Sequence, residues 1–133
     1  MISLDSNVVF SAITADDTLH GQARSALSAF ADQGFALSPL AYAELKASAG
    51  WKRIEGFINE VGIQVLWEMP PSVWERAGDA FGQYARLRRG GSLPRRIVGD
   101  FLIAAHAEHH ALDVLTFDET VYKAVFPKLK LKN

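Results

Sequence analysis

The sequence contains no cysteine, which excludes disulfide scaffolds and cysteine-based metal sites. No apolar run approaches the roughly 20 residues that a membrane-spanning helix requires. The N-terminus has neither the basic region nor the long apolar region of a secretory signal. A cytoplasmic protein with no membrane association is therefore expected. Charge of one sign is not in excess either. Lys and Arg number 14 against 15 Asp and Glu, a net charge of −1, so bulk charge does not announce a nucleic-acid partner. There is no internal repeat, low-complexity tract or domain linker. No Gly-rich phosphate loop, nucleophile elbow or zinc signature is present.

What remains is an ordinary soluble composition, 49% apolar and 22% charged over 133 residues. The whole chain, residues 1–133, reads as a single domain. A chain of this size buries roughly two-thirds of its unfolded surface, enough for one real core.

Short apolar runs alternate with helical patterns. Ile2 to Leu4 predicts a buried strand, and Asn7 to Ile13 a short helix broken near Asp16 and Asp17. Ala23, Leu27 and Phe30 fall on one face of a helix from about Leu19 to Asp32. Gly34 releases the chain into a strand at Phe35–Leu37. Ser38 and Pro39 make a good helix start, cap followed by first-turn proline, and that helix should end near Gly50. Trp51 to Val61 is helical again, with Trp51, Ile54 and Ile58 on a buried stripe. Ile63 to Trp67 predicts a third strand. A long helix opens at Pro70-Pro71 and reaches an arginine cluster, and Gly90–Pro94 is a loop. The next helix begins at Asp100 and is apolar nearly all round, hence buried. Asp113 to Phe117 predicts a fourth strand, and Leu129–Leu131 a short edge strand guarded by lysines. Strands alternating with helices imply an α/β fold with a mostly parallel sheet of four to five strands and helices on both faces.

Four carboxylates stand at defined places in this pattern. Asp5 ends the first strand, Asp118 follows the fourth, Asp100 stands at a helix start, and Glu44 lies about a turn and a half into the helix after the second strand. Sites in open parallel sheets form outside the carboxyl ends of the strands, and a helix N-terminus favours an anion. Four elements are thus expected to deliver four acids to one corner. Two unit charges ~4 Å apart repel by about 4 kcal/mol at an effective dielectric near 20. A hard divalent cation relieves that repulsion and can polarise a phosphodiester and activate water. Convergence of these acids would make the chain a metal-dependent phosphoryl-transfer enzyme. Arg86, Arg88, Arg89, Arg95 and Arg96 crowd the segment leading towards Asp100 and are candidates for gripping RNA phosphates.

Leu4-Asp5-Ser6-Asn7, Ala43-Glu44-Leu45, Asp100-Phe101-Leu102-Ile103-Ala104-Ala105 and Leu115-Thr116-Phe117-Asp118 together resemble the motifs of a PIN-domain ribonuclease. The resemblance is specifically to VapC-type toxins of prokaryotic toxin–antitoxin pairs, and it extends over almost the whole chain. It implies a three-layer α/β/α sandwich and endonucleolytic hydrolysis of RNA. It makes Asp5, Glu44, Asp100 and Asp118 a catalytic acidic quartet holding Mg²⁺ or Mn²⁺, with Asp5, Asp100 and Asp118 as metal ligands. Asn7 and Thr116 then orient the carboxylates or bound water. It also implies a homodimer and a cognate antitoxin that blocks the groove. The family often has an aromatic residue three positions after the fourth acid, whereas Val121 stands there and Tyr122 follows. Glu119, beside Asp118, is a rival for its place.

Two other functions fit parts of the pattern. A haloacid-dehalogenase-like phosphatase would use Asp5 as nucleophile, but its second acid is replaced by Asn7. A non-catalytic RNA- or protein-binding module would have no use for clustered acids. His106 and His110 share a helical face at ligand spacing, yet lie one to two turns from the acids, which favours a structural or surface role together with His109. His20 has no evident partner. Trp51, Trp67 and Trp74 read better as core or dimer interface than as base-stacking platforms.

Overall fold

The computed structural model describes residues 1–132. Five parallel strands form one sheet: β1 (Ile2–Leu4), β2 (Phe35–Leu37), β3 (Gln64–Val65), β4 (Asp113–Leu115) and β5 (Leu131–Lys132), in the order β3-β2-β1-β4-β5. Seven helices connect them: α1 (Ser6–Ile13), α2 (His20–Ala29), α3 (Pro39–Lys46), α4 (Trp51–Val61), α5 (Pro71–Arg89), α6 (Val98–His109) and α7 (Thr120–Val125). This is the expected α/β/α sandwich.

The inner strands β1, β2 and β4 are covered on both faces, so side-chain alternation decides what each residue packs against, while the edge strands β3 and β5 are less buried. Ile2, Leu4, Phe35, Leu37 and Leu115 join a core with residues of α1 to α4. Ala36 and Val114 turn the other way, into a core with residues of α5, α6 and α7. α6 serves both layers: Ile103 enters the first core, while Phe101, Leu102 and Ala105 enter the second. That explains a helix with apolar residues nearly all round.

Local signals set the element ends. Ser38 Oγ accepts the N–H of Ala41 at 3.0 Å, and Pro39 occupies the first helical position of α3. Gly62 closes α4 with φ +79°, and the N–H groups of Gly62 and Ile63 both return to the Ile58 carbonyl.

Several boundaries differ from the expectation. The helix predicted from Leu19 to Asp32 ends at Ala29 and passes into a 3-10 turn at Ala31–Gln33. β3 keeps only two residues of the predicted Ile63–Trp67, and β5 lies at Leu131–Lys132 rather than Leu129–Leu131. α6 begins at Val98, so Asp100 is its third residue and not its cap. α7 was not foreseen; six residues are too few for a periodic pattern to declare itself.

Candidate active site

The strand order reverses between β1 and β4: the chain steps outward from β1 to β2 and β3, then crosses back to lay β4 on the other side of β1. A crevice opens at such a point beyond the carboxyl ends of the strands. Leu4 pairs in register with Leu115, which makes Asp5 and Thr116 neighbours. The Asp5 N–H continues the ladder to the Leu115 carbonyl at 3.1 Å, and the buried Thr116 hydroxyl donates to Asp5 Oδ2 at 2.8 Å. Thr116 Oγ1 also accepts the Asp118 N–H at 3.1 Å, so one hydroxyl fixes both the first acid and the turn carrying the fourth.

Asp100 reaches the same corner from the first turn of α6, where the helix dipole favours a carboxylate. Glu44 comes from α3, and the Ser6 hydroxyl donates to its Oε1 at 3.2 Å. Asp5, Ser6, Asn7, Asp100, Asp118, Val121 and Tyr122 line a recess of about 140 Å³. Glu44 stands at its edge, joined through Ser6.

The electrostatics divide the acids into two kinds. Burial, reinforced by the charges of Asp100 and Glu44, pushes the Asp5 carboxyl up to about 6 despite the Thr116 hydrogen bond. Burial and the charge of Asp100 raise Glu44. Burial also raises Asp100, with Asp118 adding to the rise and Arg96 opposing it. Asp118 goes the other way. Burial pushes it up, but the hydroxyl and N–H of Thr120 and the guanidinium of Arg96 outweigh that and hold it below the usual carboxylate range. Arg96 Nε donates to Asp118 Oδ2 at 3.0 Å, its Nη2 lies in ion-pair contact with the same oxygen at 2.8 Å, and the Thr120 N–H donates to Oδ1 at 3.2 Å.

Among the described residues, no group of three or more His, Asp or Glu side chains is close enough to close a cage around an ion. Mg²⁺ does not require one, since it takes one or two carboxylates and keeps several waters. The recess suits that mode. Asp5 and Asp100 face it with unsatisfied negative charge, and the buried Asn7 Oδ1 in its wall has no hydrogen-bond partner among the described residues. A hydrated cation would supply both the charge and the donors that these groups lack.

The other candidates separate clearly. Glu119 pairs with Lys123 at 2.5 Å, while Asp118 lines the recess. Arg88, Arg95 and Arg96 share a groove of about 480 Å³ with Phe81, Tyr84, Ala85, Ile97 and Val98. Arg86 and Arg89 are exposed and outside its lining. His106 is fully buried, its Nε2 2.7 Å from the Leu66 carbonyl, and it fastens α6 to the end of β3. His110 Nε2 meets the Glu68 carbonyl at 2.9 Å, and His20 Nδ1 meets that of Ser11 at 2.9 Å. Trp67 and Trp74 are 62% and 52% exposed, which corrects their reading as core; Trp51 packs on the first core. Tyr122 escaped the sequence reading. It is 3% exposed and lines the recess, and burial together with the charges of Asp5, Asp100 and Asp118 raises its phenol well above 10. The aromatic residue one place beyond the family's usual position was the available signal.

The family model of the PIN domain matches residues 2–127, and the chain belongs to that family. Solved toxin–antitoxin complexes contain chains of the same fold. The chain is 20% identical to one from VapBC2 of Rickettsia felis, bound to a promoter DNA fragment, with a TM-score of 0.64 over 100% of this chain and 98% of that one. VapBC-1 of nontypeable Haemophilus influenzae gives 18% identity and a TM-score of 0.64 over 100% and 98%. FitAcB of Neisseria gonorrhoeae gives 21% and 0.62 over 100% and 97%. No curated protein matches the sequence.

Proposed function

We propose that this PIN domain is a Mg²⁺- or Mn²⁺-dependent endoribonuclease and the toxin of a toxin–antitoxin pair. The observation that carries the reading is the meeting of Asp5, Asp100 and Asp118, from the ends of β1 and β4 and the first turn of α6, in one recess with Glu44 of α3 at its edge, where burial and neighbouring acids raise Asp5, Glu44 and Asp100 and only Asp118 is held low from within the chain. Asp5 and Asp100 would hold the ion, with Glu44 and Asp118 completing the acidic rim. A bound divalent ion supplies Lewis-acid stabilisation to a phosphodiester oxygen. Thr116 and Ser6 keep Asp5 and Glu44 oriented, and the unpartnered Asn7 Oδ1 would accept a hydrogen bond from water carried by the ion. The arginines beside α6 neutralise phosphates flanking the cut, since backbone charge dominates nucleic-acid affinity.

The phosphatase alternative needs a second acid two places after Asp5, and Asn7 stands there. A cognate antitoxin and a homodimer belong to the same proposal. The structural neighbours were solved as toxin–antitoxin complexes, and the exposed Phe81, Ile97 and Val98 offer apolar surface for a protein partner beside the recess.

The test is cleavage of total RNA in Mg²⁺ with and without chelator. Wild type is expected to cut only with the ion, and Asp5→Asn and Asp100→Asn to be inactive yet folded by circular dichroism. Wild-type-like cleavage by Asp100→Asn would sink the reading. RNA binding undiminished by chelator, without cleavage, would instead favour a binding module.

A further inference from the structure

Arg96 and Asp118 form a unit whose free hydrogen-bonding capacity points away from the metal and towards the substrate. A guanidinium has five N–H donors in a fixed fork geometry. Arg96 uses two in hydrogen bonds, Nε on Asp118 Oδ2 and Nη1 on the Arg95 carbonyl, both at 3.0 Å, while Nη2 lies in ion-pair contact with Asp118 Oδ2 at 2.8 Å. Each of Nη1 and Nη2 keeps at least one free donor. Two parallel donors at the tip of a guanidinium match two oxygens of a phosphate. The side chain is 25% exposed, so the tip is accessible while its bonds to Asp118 and Arg95 restrain its orientation.

Asp118 is correspondingly occupied. Oδ2 takes the Arg96 contacts and Oδ1 takes the Thr120 N–H, whereas Glu44 has one oxygen outside the described hydrogen bonds, and Asp5, although bonded by Thr116, Ser6 and Tyr122, has no cationic side chain paired with it among the described residues. A divalent cation drawn to Asp118 would also meet the guanidinium's positive charge at hydrogen-bond range of the same carboxylate. The acids with surplus negative charge are Asp5, Glu44 and Asp100. Arg96 lies within electrostatic reach of Asp100 as well, and it lines the arginine groove. It therefore stands between the acid recess and the path expected for the RNA backbone.

We propose that Asp118 is a positioning residue that anchors Arg96, rather than a metal ligand, and that Arg96 is a catalytic residue that forks onto the non-bridging oxygens of the scissile phosphate. The proposal rests on the ribonuclease reading above. In the hydrolysis a water oxygen bonds to phosphorus and loses a proton, and the bond from phosphorus to the leaving ribose oxygen breaks as that oxygen gains one. Negative charge held on the non-bridging oxygens meets the two free Arg96 donors. Preorganised donors aimed at developing charge act without reorganising during the reaction.

The test combines single-turnover cleavage of a short single-stranded RNA with Mn²⁺ titration of the RNA-free protein, followed by electron paramagnetic resonance. Arg96→Gln and Asp118→Asn are each expected to slow cleavage by roughly 10²-fold. The double variant should be no slower than the worse single, because one unit is lost. Arg96→Lys should not restore the rate, because an ammonium keeps the charge without the fork. Mn²⁺ affinity should stay near wild type in Asp118→Asn and collapse in Asp100→Asn. Loss of Mn²⁺ affinity in Asp118→Asn equal to that in Asp100→Asn overturns the anchor role. Additive losses in the double variant, or wild-type cleavage by Arg96→Gln, overturn the unit. Should Asp118→Asn fail to fold, the Arg96→Gln/Asp118→Ala pair, which removes both charges together, carries the Mn²⁺ comparison. A wild-type protein that cuts no RNA removes the ribonuclease reading and the phosphate role with it, while Mn²⁺ binding still decides the place of Asp118.

Discussion

Asp5 is the side chain whose charge costs most. Its folded pKa of about 6 lies above the ordinary 3.8. A carboxyl raised on folding favours the native state while protonated: the contribution is complete below pH 3.8 and disappears as pH rises through about 6. Above that range the shift amounts to a penalty of up to about 3 kcal/mol. In chelator, Asp5→Asn should therefore be more stable than wild type at pH 8, by up to that amount, and equal to it near pH 3. Urea melts across this range check the sign. Equal stability at pH 8 would mean that Asp5 is better solvated than its surroundings indicate. Asp5 thus carries its charge at the expense of the fold. Asp118 differs because Arg96 and Thr120 have already compensated it. The sequence marked both as acids following strands, yet nothing in it separated the compensated one from the others, because Arg96 lies 22 positions away.

Elements place these residues through their ends. β1 and β4 are only three residues each, and their shared register decides that Asp5 meets Thr116. α6 closes at Ala111, the only non-glycine residue with positive φ among the described residues, at +54°. The N–H of Leu112 returns to the Ala107 carbonyl at 2.9 Å, so the left-handed turn is built in. An L side chain there costs roughly 1–2 kcal/mol, partly offset by the freedom a glycine adds to the unfolded chain. Ala111→Gly should stabilise the protein by about 0.5–1 kcal/mol, read as a higher urea midpoint at unchanged slope. A lower midpoint would show that the turn relaxes. The helix start at Ser38-Pro39 was legible because capping is local chemistry. α7 was not, and the two-residue strands were legible only as elements and not in their bounds, since these come from what they pack against.

For the molecule as a whole, the proposed ion binding would couple to folding, because the unfolded chain does not bring Asp5 and Asp100 together. Mn²⁺ at about a hundred times its dissociation constant should add about 2.7 kcal/mol of stability, a rise in thermal midpoint of roughly 10 °C for a chain of this size. Asp100→Asn should abolish the rise. A shift of equal size in that variant would place the ion elsewhere. No helix among the described residues is long and apolar enough to cross a membrane. The exposure of Trp67 and Trp74 rules out the core half of their sequence reading as core or dimer interface.

The sequence by itself determined the α/β class, the parallel sheet and the identity of the four acids. Each of these follows from local periodicity, from capping, or from a carboxylate standing next to an apolar run. Tertiary structure decided which acids remain electrostatically unsatisfied, that Arg96 closes on Asp118, that Tyr122 lines the recess, and that three of the five clustered arginines share one groove. Those relations join residues far apart in the chain. They depend on how the strand order reverses beside β1 and where α6 lies across it, and no local pattern encodes that.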